Sequence, residues 1–263
     1  DITQTKEIKE QLEIQNEELK KINSELDRFV YSASHDLKAP LASILGLINV
    51  AKLENDPTAV FKYLEMMQHS IQKLDHFIKD IIDYSRNSRM EVVSQEVNLE
   101  EIIEEVYENL HYLEQASRIK KNIRIEQNVT FYSDSKRLLV VFNNLISNAI
   151  NYHNLNQETP FIEIDIVVKP DKVHITVGDN GVGVGQEHLH RIFDMFYRAS
   201  YDSKGSGLGL YIVKEAITKL NGQISVHSEL GRGTKFFIIL PNQMSSKSVT
   251  IKNGQSNEIP LEY

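Results

Sequence analysis

The chain has 263 residues, of which 41% are hydrophobic, 25% charged and 8% aromatic, a globular composition that excludes fibrous, disulfide-stapled and disordered classes and supplies about two domains. Its 29 Lys and Arg against 37 Asp and Glu leave a net charge of −8, which argues against broad electrostatic capture of nucleic acid or anionic lipid. Cysteine is absent, so disulfides, thiolate metal sites and thiol nucleophiles are excluded, and a reducing, cytoplasmic setting fits. No apolar run approaches the ~18 residues of a membrane span, and Asp1 opens no signal peptide, so the segment reads as a soluble piece.

Taken in chain order, Leu12, Leu19, Ile22, Leu26 and Phe29 follow Ile8 in steps of three, four and seven, with Gln15 filling one seam position among Glu and Lys, which predicts a coiled-coil helix over residues 1–28 where chains meet. Because this seam starts almost at Asp1 without a cap, a sensor domain upstream in a longer parent chain is expected, that parent being either soluble or membrane-anchored. The helix is predicted to continue through His35 to about Glu54, bent near Ala39 and Pro40 by the missing hydrogen bond. Asn55, Asp56 and Pro57 turn the chain into a second amphipathic helix carrying Val60, Leu64, Met67, Ile71, Leu74, Ile78, Ile81 and Ile82. Residues 29–90 thus form a helical hairpin whose narrow apolar faces predict a homodimeric four-helix bundle.

Ten of the 12 glycines lie between Gly178 and Gly233, marking a differently built second domain over residues 91–241. Its predicted elements are a strand at 92–97, a helix at 99–117 capped by Asn98, a strand at 123–127 and a helix at 135–152. A hairpin of strands 161–168 and 172–177, a helix from Leu210, and strands 223–228 and 235–240 complete it. The fold class is α+β: a helical hairpin followed by an α/β sandwich with helices on one face of a mixed sheet. Residues 242–263 read as a polar, disordered tail.

Three features of the second domain point to a nucleotide. Asn144 and Asn148, one turn apart, place two amides on one helix face, and an amide oxygen suits Mg²⁺ already neutralised by phosphates; two solvated asparagines are the bland alternative. Asp179, followed by Asn180, Gly181, Val182 and Gly183, ends a strand, where a carboxylate can accept a hydrogen bond from an exocyclic amine and glycines admit a flat base. Gly205, Ser206, Gly207, Leu208 and Gly209 open a helix whose free N–H groups face an anion, without the Gly-Lys-Ser/Thr of a P-loop. Between the last two, Phe193 and Phe196 are either core or lid residues, and Arg198 and Lys204 are placed to reach phosphate.

In the first domain His35 stands beside Asp36. Neutral imidazole is a competent nucleophile near neutral pH, and an adjacent carboxylate can hold one ring N–H while the other nitrogen attacks.

Residues 144–148, 179–183, 193–198 and 205–209 resemble, in the family's order, the N, G1, F and G2 boxes of histidine-kinase ATP-binding domains, and residues 34–41 resemble the H-box of the same kinases. The resemblance covers residues 25–241. It implies a Bergerat-type ATP-binding fold and autophosphorylation of His35 from ATP, with Asp36 and Lys38 beside it. Asn148 would ligate Mg²⁺, Asp179 would hold the adenine amine, and Tyr152 would lie against the base. Asn144, Gly181, Gly183, Arg198, Lys204, Gly205, Gly207, Leu208 and Gly209 complete the implied cofactor set. The phosphoryl group would pass to an aspartate of a response-regulator receiver domain in two-component signalling. Two departures are visible. Asn151 replaces the lysine many members carry before the tyrosine, and Ala39 replaces the Thr or Asn that phosphatase-active members carry, so weak phosphatase activity is expected. Two rival readings are a Bergerat-type ATPase, disfavoured by Asn143 where a water-activating acid would stand, and a non-catalytic dimeric scaffold, disfavoured by the presence of every box.

Overall fold

The computed structural model describes residues 2–111, 113, 115–154, 157–199 and 205–242; Lys204 and the tail from residue 243 lie outside the described residues. The chain divides into two compact units, one formed by residues 1–89 with 190–212 and the other by residues 90–189 with 213–263.

In the first unit, α1 (Ile2–Ala51) is a single helix that runs through Pro40. It stops short of the expected Glu54 because the last turn tightens: Leu53 N–H bonds Val50 O and Glu54 N–H bonds Ala51 O, three residues back instead of four. Helix α2 (Pro57–Arg89) starts on proline, whose missing N–H costs nothing in the first turn, and the Asp56 carboxylate accepts from Thr58 N at 2.9 Å. Glu54 accepts from the N–H groups of Asn55 and Asp56, so the turn satisfies its own backbone. Along the hairpin, Leu41, Leu45, Leu64, Ile71, Ile78 and Ile82 are 43% to 63% exposed, an apolar face that one hairpin leaves uncovered. The described seam side chains Leu12, Leu19 and Leu26 are exposed as well.

The second unit is built on a five-stranded sheet ordered β2 (Lys120–Gln127), β4 (Phe161–Val168), β5 (Lys172–Asp179), β7 (Gly233–Pro241), β6 (Gln223–Glu229). Only β2 and β4 are parallel. Alternation decides its faces: Ile162, Ile164, Ile166 and Val168 of β4, Val173, Ile175 and Val177 of β5, and Phe236, Ile238 and Leu240 of β7 are buried, while their neighbours, Gly178 apart, are not. Helices α3 (Leu99–Leu110), α4 (Ser135–Asn151) and α6 (Gly209–Lys219) supply the matching apolar sides, among them Ile103, Val106, Leu138, Phe142, Ile146, Val213 and Ile217. A short ribbon pairs β1 (Gln95–Glu96) with β3 (Tyr132–Ser133), and α5 (Gln186–Leu189) follows β5. On the open face Lys235 crosses Gly178 to reach Glu163 at 3.2 Å, a path that a side chain at 178 would crowd.

Two sequence expectations are shortened. The strand at 92–97 pairs only at Gln95–Glu96, because the chain before it is held by the side chains of Asp134, the cap of α4, and Arg137 instead of a ladder. The helix from Leu99, capped by Asn98 through Glu100 N and Glu101 N, ends at Leu110 and is followed by a 3₁₀ turn at Ala116–Arg118. Phe142 is fully buried under the sheet, so Phe142→Ala is expected to destabilise this unit by about 3–5 kcal/mol, measured by denaturant unfolding.

Candidate nucleotide and phosphoacceptor sites

Helix α4 buries its apolar side and leaves Asn144 and Asn148 half-buried one turn apart. Asn144 Nδ2 donates to Val140 O at 2.9 Å, which turns its amide oxygen away from the helix bond and leaves it open. The Asn148 side chain makes no hydrogen bond among the described residues, so both functions of its amide are open. The helix closes at Tyr152, whose N–H bonds Asn148 O at 2.9 Å.

The tyrosine's carbonyl then accepts Val182 N–H at 3.0 Å, tying the end of α4 to the loop after β5. That loop has no room for side chains at two points: a Cβ on Gly181 would lie 2.4 Å from Tyr152 O, and one on Gly183, at φ +68°, 2.1 Å from Glu229 O. Asp179, the last residue of β5, accepts Gly181 N–H at 2.8 Å. Burial pushes its pKa up to about 6, against that bond and one from the Thr234 backbone, which both favour the carboxylate. Sequence reading missed two supports. Asn180 bridges Phe161 N and Thr159 O, and the Ser228 hydroxyl accepts from Val184 N while donating to Gly233 O, both at 2.8 Å. A polar residue inside a Gly-rich turn and a serine on a strand are too common to signal this. Asn144, Asn148, Tyr152, Asp179, Gly181 and Gly183 are thus gathered within the second unit, at the end of α4 and the edge of the β5 loop.

The remaining predicted residues, Lys204 apart, lie in the first unit. His35 is exposed on α1, with Nδ1 3.0 Å from Asp36 Oδ1, while Lys38 and Ala39 are exposed on the same helix. With Nδ1 engaged, Nε2 is the nitrogen open to solvent. Gly207, at φ +74°, has its carbonyl bonded by Phe196 N–H at 3.0 Å, and a Cβ there would meet the Phe196 carbonyl carbon at 2.7 Å. Phe196 lies 5.9 Å from the ring of Phe29, and Ser206 donates to the buried Asp80 of α2 at 2.5 Å. The carboxyl of Asp80 is shifted upward by burial. Ser206 Oγ also accepts Leu208 N–H, so it caps the start of α6 while touching the hairpin. Phe193 and Phe196 are half-buried, Leu208 is buried and Arg198 is exposed.

A sandwich of this topology, with an amide-bearing helix, a strand-end aspartate and a Gly-rich helix start, defines an ATPase-type nucleotide domain, here joined to a histidine-bearing helical hairpin. Comparison with known proteins agrees on both parts. Residues 133–244 match the family described as histidine kinase-, DNA gyrase B-, and HSP90-like ATPase, and residues 25–89 match the His Kinase A (phospho-acceptor) domain. Similar curated proteins include the methanogenesis regulatory histidine kinase FilI of Methanothrix harundinacea, 32% identical over 83% of this chain and 25% of that one. Cyanobacterial phytochrome B of Nostoc sp. is 33% identical over 86% of this chain and 30% of its own length, and the sensor histidine kinase RcsC of Escherichia coli 27% over 92% and 26%. The fold is shared with solved structures of Acinetobacter baumannii histidine kinase AdeS (TM-score 0.61, 20% identity, 79% of this chain and 98% of that one) and of histidine kinase ThkA in complex with the response regulator protein TrrA (0.63, 24%, 85% and 64%). The chain belongs to the sensor histidine kinase family of two-component systems, and it spans about a quarter to a third of the length of these curated relatives.

Asp179 yields a prediction whose sign is fixed by its raised pKa. The native state binds more protons than the unfolded state between the carboxyl's ordinary value of 3.8 and about 6, so this group's contribution to stability is present at low pH and is lost as pH rises through that window. Asp179→Asn keeps an acceptor for Gly181 N–H without the buried charge. At pH 7.5 it is expected to raise the melting temperature of the nucleotide-free protein by a few degrees, read by calorimetry.

Proposed function

We propose that the chain phosphorylates His35 from ATP and passes the phosphoryl group to an aspartate on the receiver domain of a response regulator. The observation that carries this reading is the His35–Asp36 contact, which engages Nδ1 and leaves Nε2 exposed on the helix. Nε2 attacks the γ-phosphorus, the N–P bond forms as the bond to the ADP oxygen breaks, and the positive charge that develops on the ring is stabilised through Nδ1–H by the Asp36 carboxylate. Transfer then breaks the N–P bond in favour of the receiver aspartate and returns the imidazole to its neutral form.

In the same reading Asp179 accepts from the adenine amine and Tyr152 lies against the base. Gly181 and Gly183 admit the base to the backbone, while Gly205, Gly207, Leu208 and Gly209 present N–H groups to the phosphates with Arg198 and Lys204 nearby in sequence. The free amide of Asn148, with the open oxygen of Asn144 one turn away, is a donor set that fits Mg²⁺, which would neutralise phosphate charge. Lys38 adds a cation one turn from His35. Ala39 offers no side chain to hold a water, so loss of phosphate from the partner is expected to be slow. The apolar face from Leu41 to Ile82 supports a homodimer, and ThkA, crystallised with its response regulator, supports the choice of partner. A sensor domain elsewhere in the parent protein, with the coiled coil as its transmitter and a cytoplasmic location, completes the proposal.

Incubation with γ-labelled ATP and Mg²⁺ is expected to give acid-labile, alkali-stable label that His35→Gln abolishes and Asp36→Asn lowers by about tenfold or more. ATP turnover unaffected by His35→Gln would favour the ATPase reading. Ile71→Glu is expected to halve the solution mass seen by light scattering, since it places a charge on the face a second hairpin would cover.

A further inference from the structure

Between the end of α2 at Arg89 and the start of β1 at Gln95, no described side chain is buried: Met90, Glu91 and Val93 are exposed and Val92 and Ser94 half-buried. The chain is nonetheless held there, by polar bonds from two residues that the sequence reading did not single out. Arg137, only 6% exposed, donates through Nη2 to Met90 O at 2.6 Å and through Nη1 to Glu91 O at 3.3 Å. Asp134, 4% exposed, pairs with Arg137 Nη1, accepts Val93 N–H at 3.1 Å, and caps α4 through Arg137 N at 3.1 Å. Met90 is also the first residue of the second unit.

We infer that Arg137, oriented by Asp134, is a positioning residue for phosphoryl transfer: it fixes the chain arriving from the phosphoacceptor hairpin to the helix that carries Asn144, Asn148 and Tyr152. The reason is mechanical. Helix α4 is 17 residues, a rod of about 25 Å, clamped to the incoming chain in its first turn and bearing the proposed nucleotide residues in its last two. A clamp held by a forked guanidinium on two successive carbonyls resists rotation and sliding in a way that one point charge does not. Since phosphoryl transfer is mostly positioning, slack at this point costs rate without touching the residues that bind ATP.

The inference rests on the phosphotransfer reading and is tested in the full chain. The double substitution Asp134→Asn with Arg137→Met removes both charges together while keeping the cap oxygen and most of the side-chain volume. Labelling of His35 at saturating ATP is expected to fall tenfold or more, with ATP affinity, measured by displacement of a fluorescent nucleotide, within about twofold of the parent. A second pair of variants does not disturb the ion pair. Gly-Gly inserted between Arg89 and Met90 lies before the clamp and is expected to slow labelling likewise, whereas Gly-Gly between Val93 and Ser94 lies after it and is expected to leave labelling within about twofold. Unchanged labelling in the double variant, ATP affinity that falls in step with labelling, or equal effects of the two insertions would each overturn the role. Absence of His35 label in the parent chain would instead overturn the phosphotransfer reading itself.

Discussion

The carbonyl of Tyr152 is the point on which the nucleotide half of the molecule turns. It accepts Val182 N–H at 3.0 Å and lies so near Gly181 that no side chain fits between them. One backbone oxygen therefore joins the end of α4 to the loop that follows Asp179. The sheet and its buried helices place that oxygen. Asn180, Ser228 and the tight turn at Gly183 keep the loop against it. The cost of the arrangement falls on Asp179, which is desolvated enough for its carboxyl to be raised to about 6. A site that ligand has to complete is less stable empty than a site built only for stability.

The phosphoacceptor half follows a different logic. A long helix carries His35 into solvent, and the neighbouring carboxylate selects which nitrogen is engaged and which is open. The imidazole is exposed, so in the proposed reaction its reactivity would depend on tautomer and presentation. The hairpin that carries it leaves a broad apolar face uncovered, and in the proposed homodimer a second copy would cover that face and contribute to its stability.

Most of the fold was legible because its signals are periodic. Heptad and 3.6-residue spacing located α1 and α2, strict alternation located β4, β5 and β7, and the glycines marked the loops around Asp179 and before α6. The box motifs were legible as spacing between unlike residue types: His35 with Asp36, Asn144 with Asn148, Asp179 with Gly181 and Gly183. What escaped was tertiary. Residues 92–94 read as strand because Val92 and Val93 favour one, yet Asp134 captures Val93 N–H and Arg137 holds the Glu91 carbonyl just before them. Ser206 stood out only as part of the Gly-rich helix start, although its hydroxyl reaches Asp80, 126 residues away in sequence. Single polar residues whose partners are distant carry no local pattern, and these are the residues that set the supports of the site.

The central claim is that Asp36 engages Nδ1 and leaves Nε2 to take the phosphoryl group. Phosphorus NMR of the denatured protein at alkaline pH, after a single turnover with ATP and Mg²⁺, separates the two phosphohistidine isomers. The account predicts one resonance, from the Nε2 isomer, absent in His35→Gln. A resonance from the Nδ1 isomer, or release of inorganic phosphate with no phosphohistidine, would contradict it.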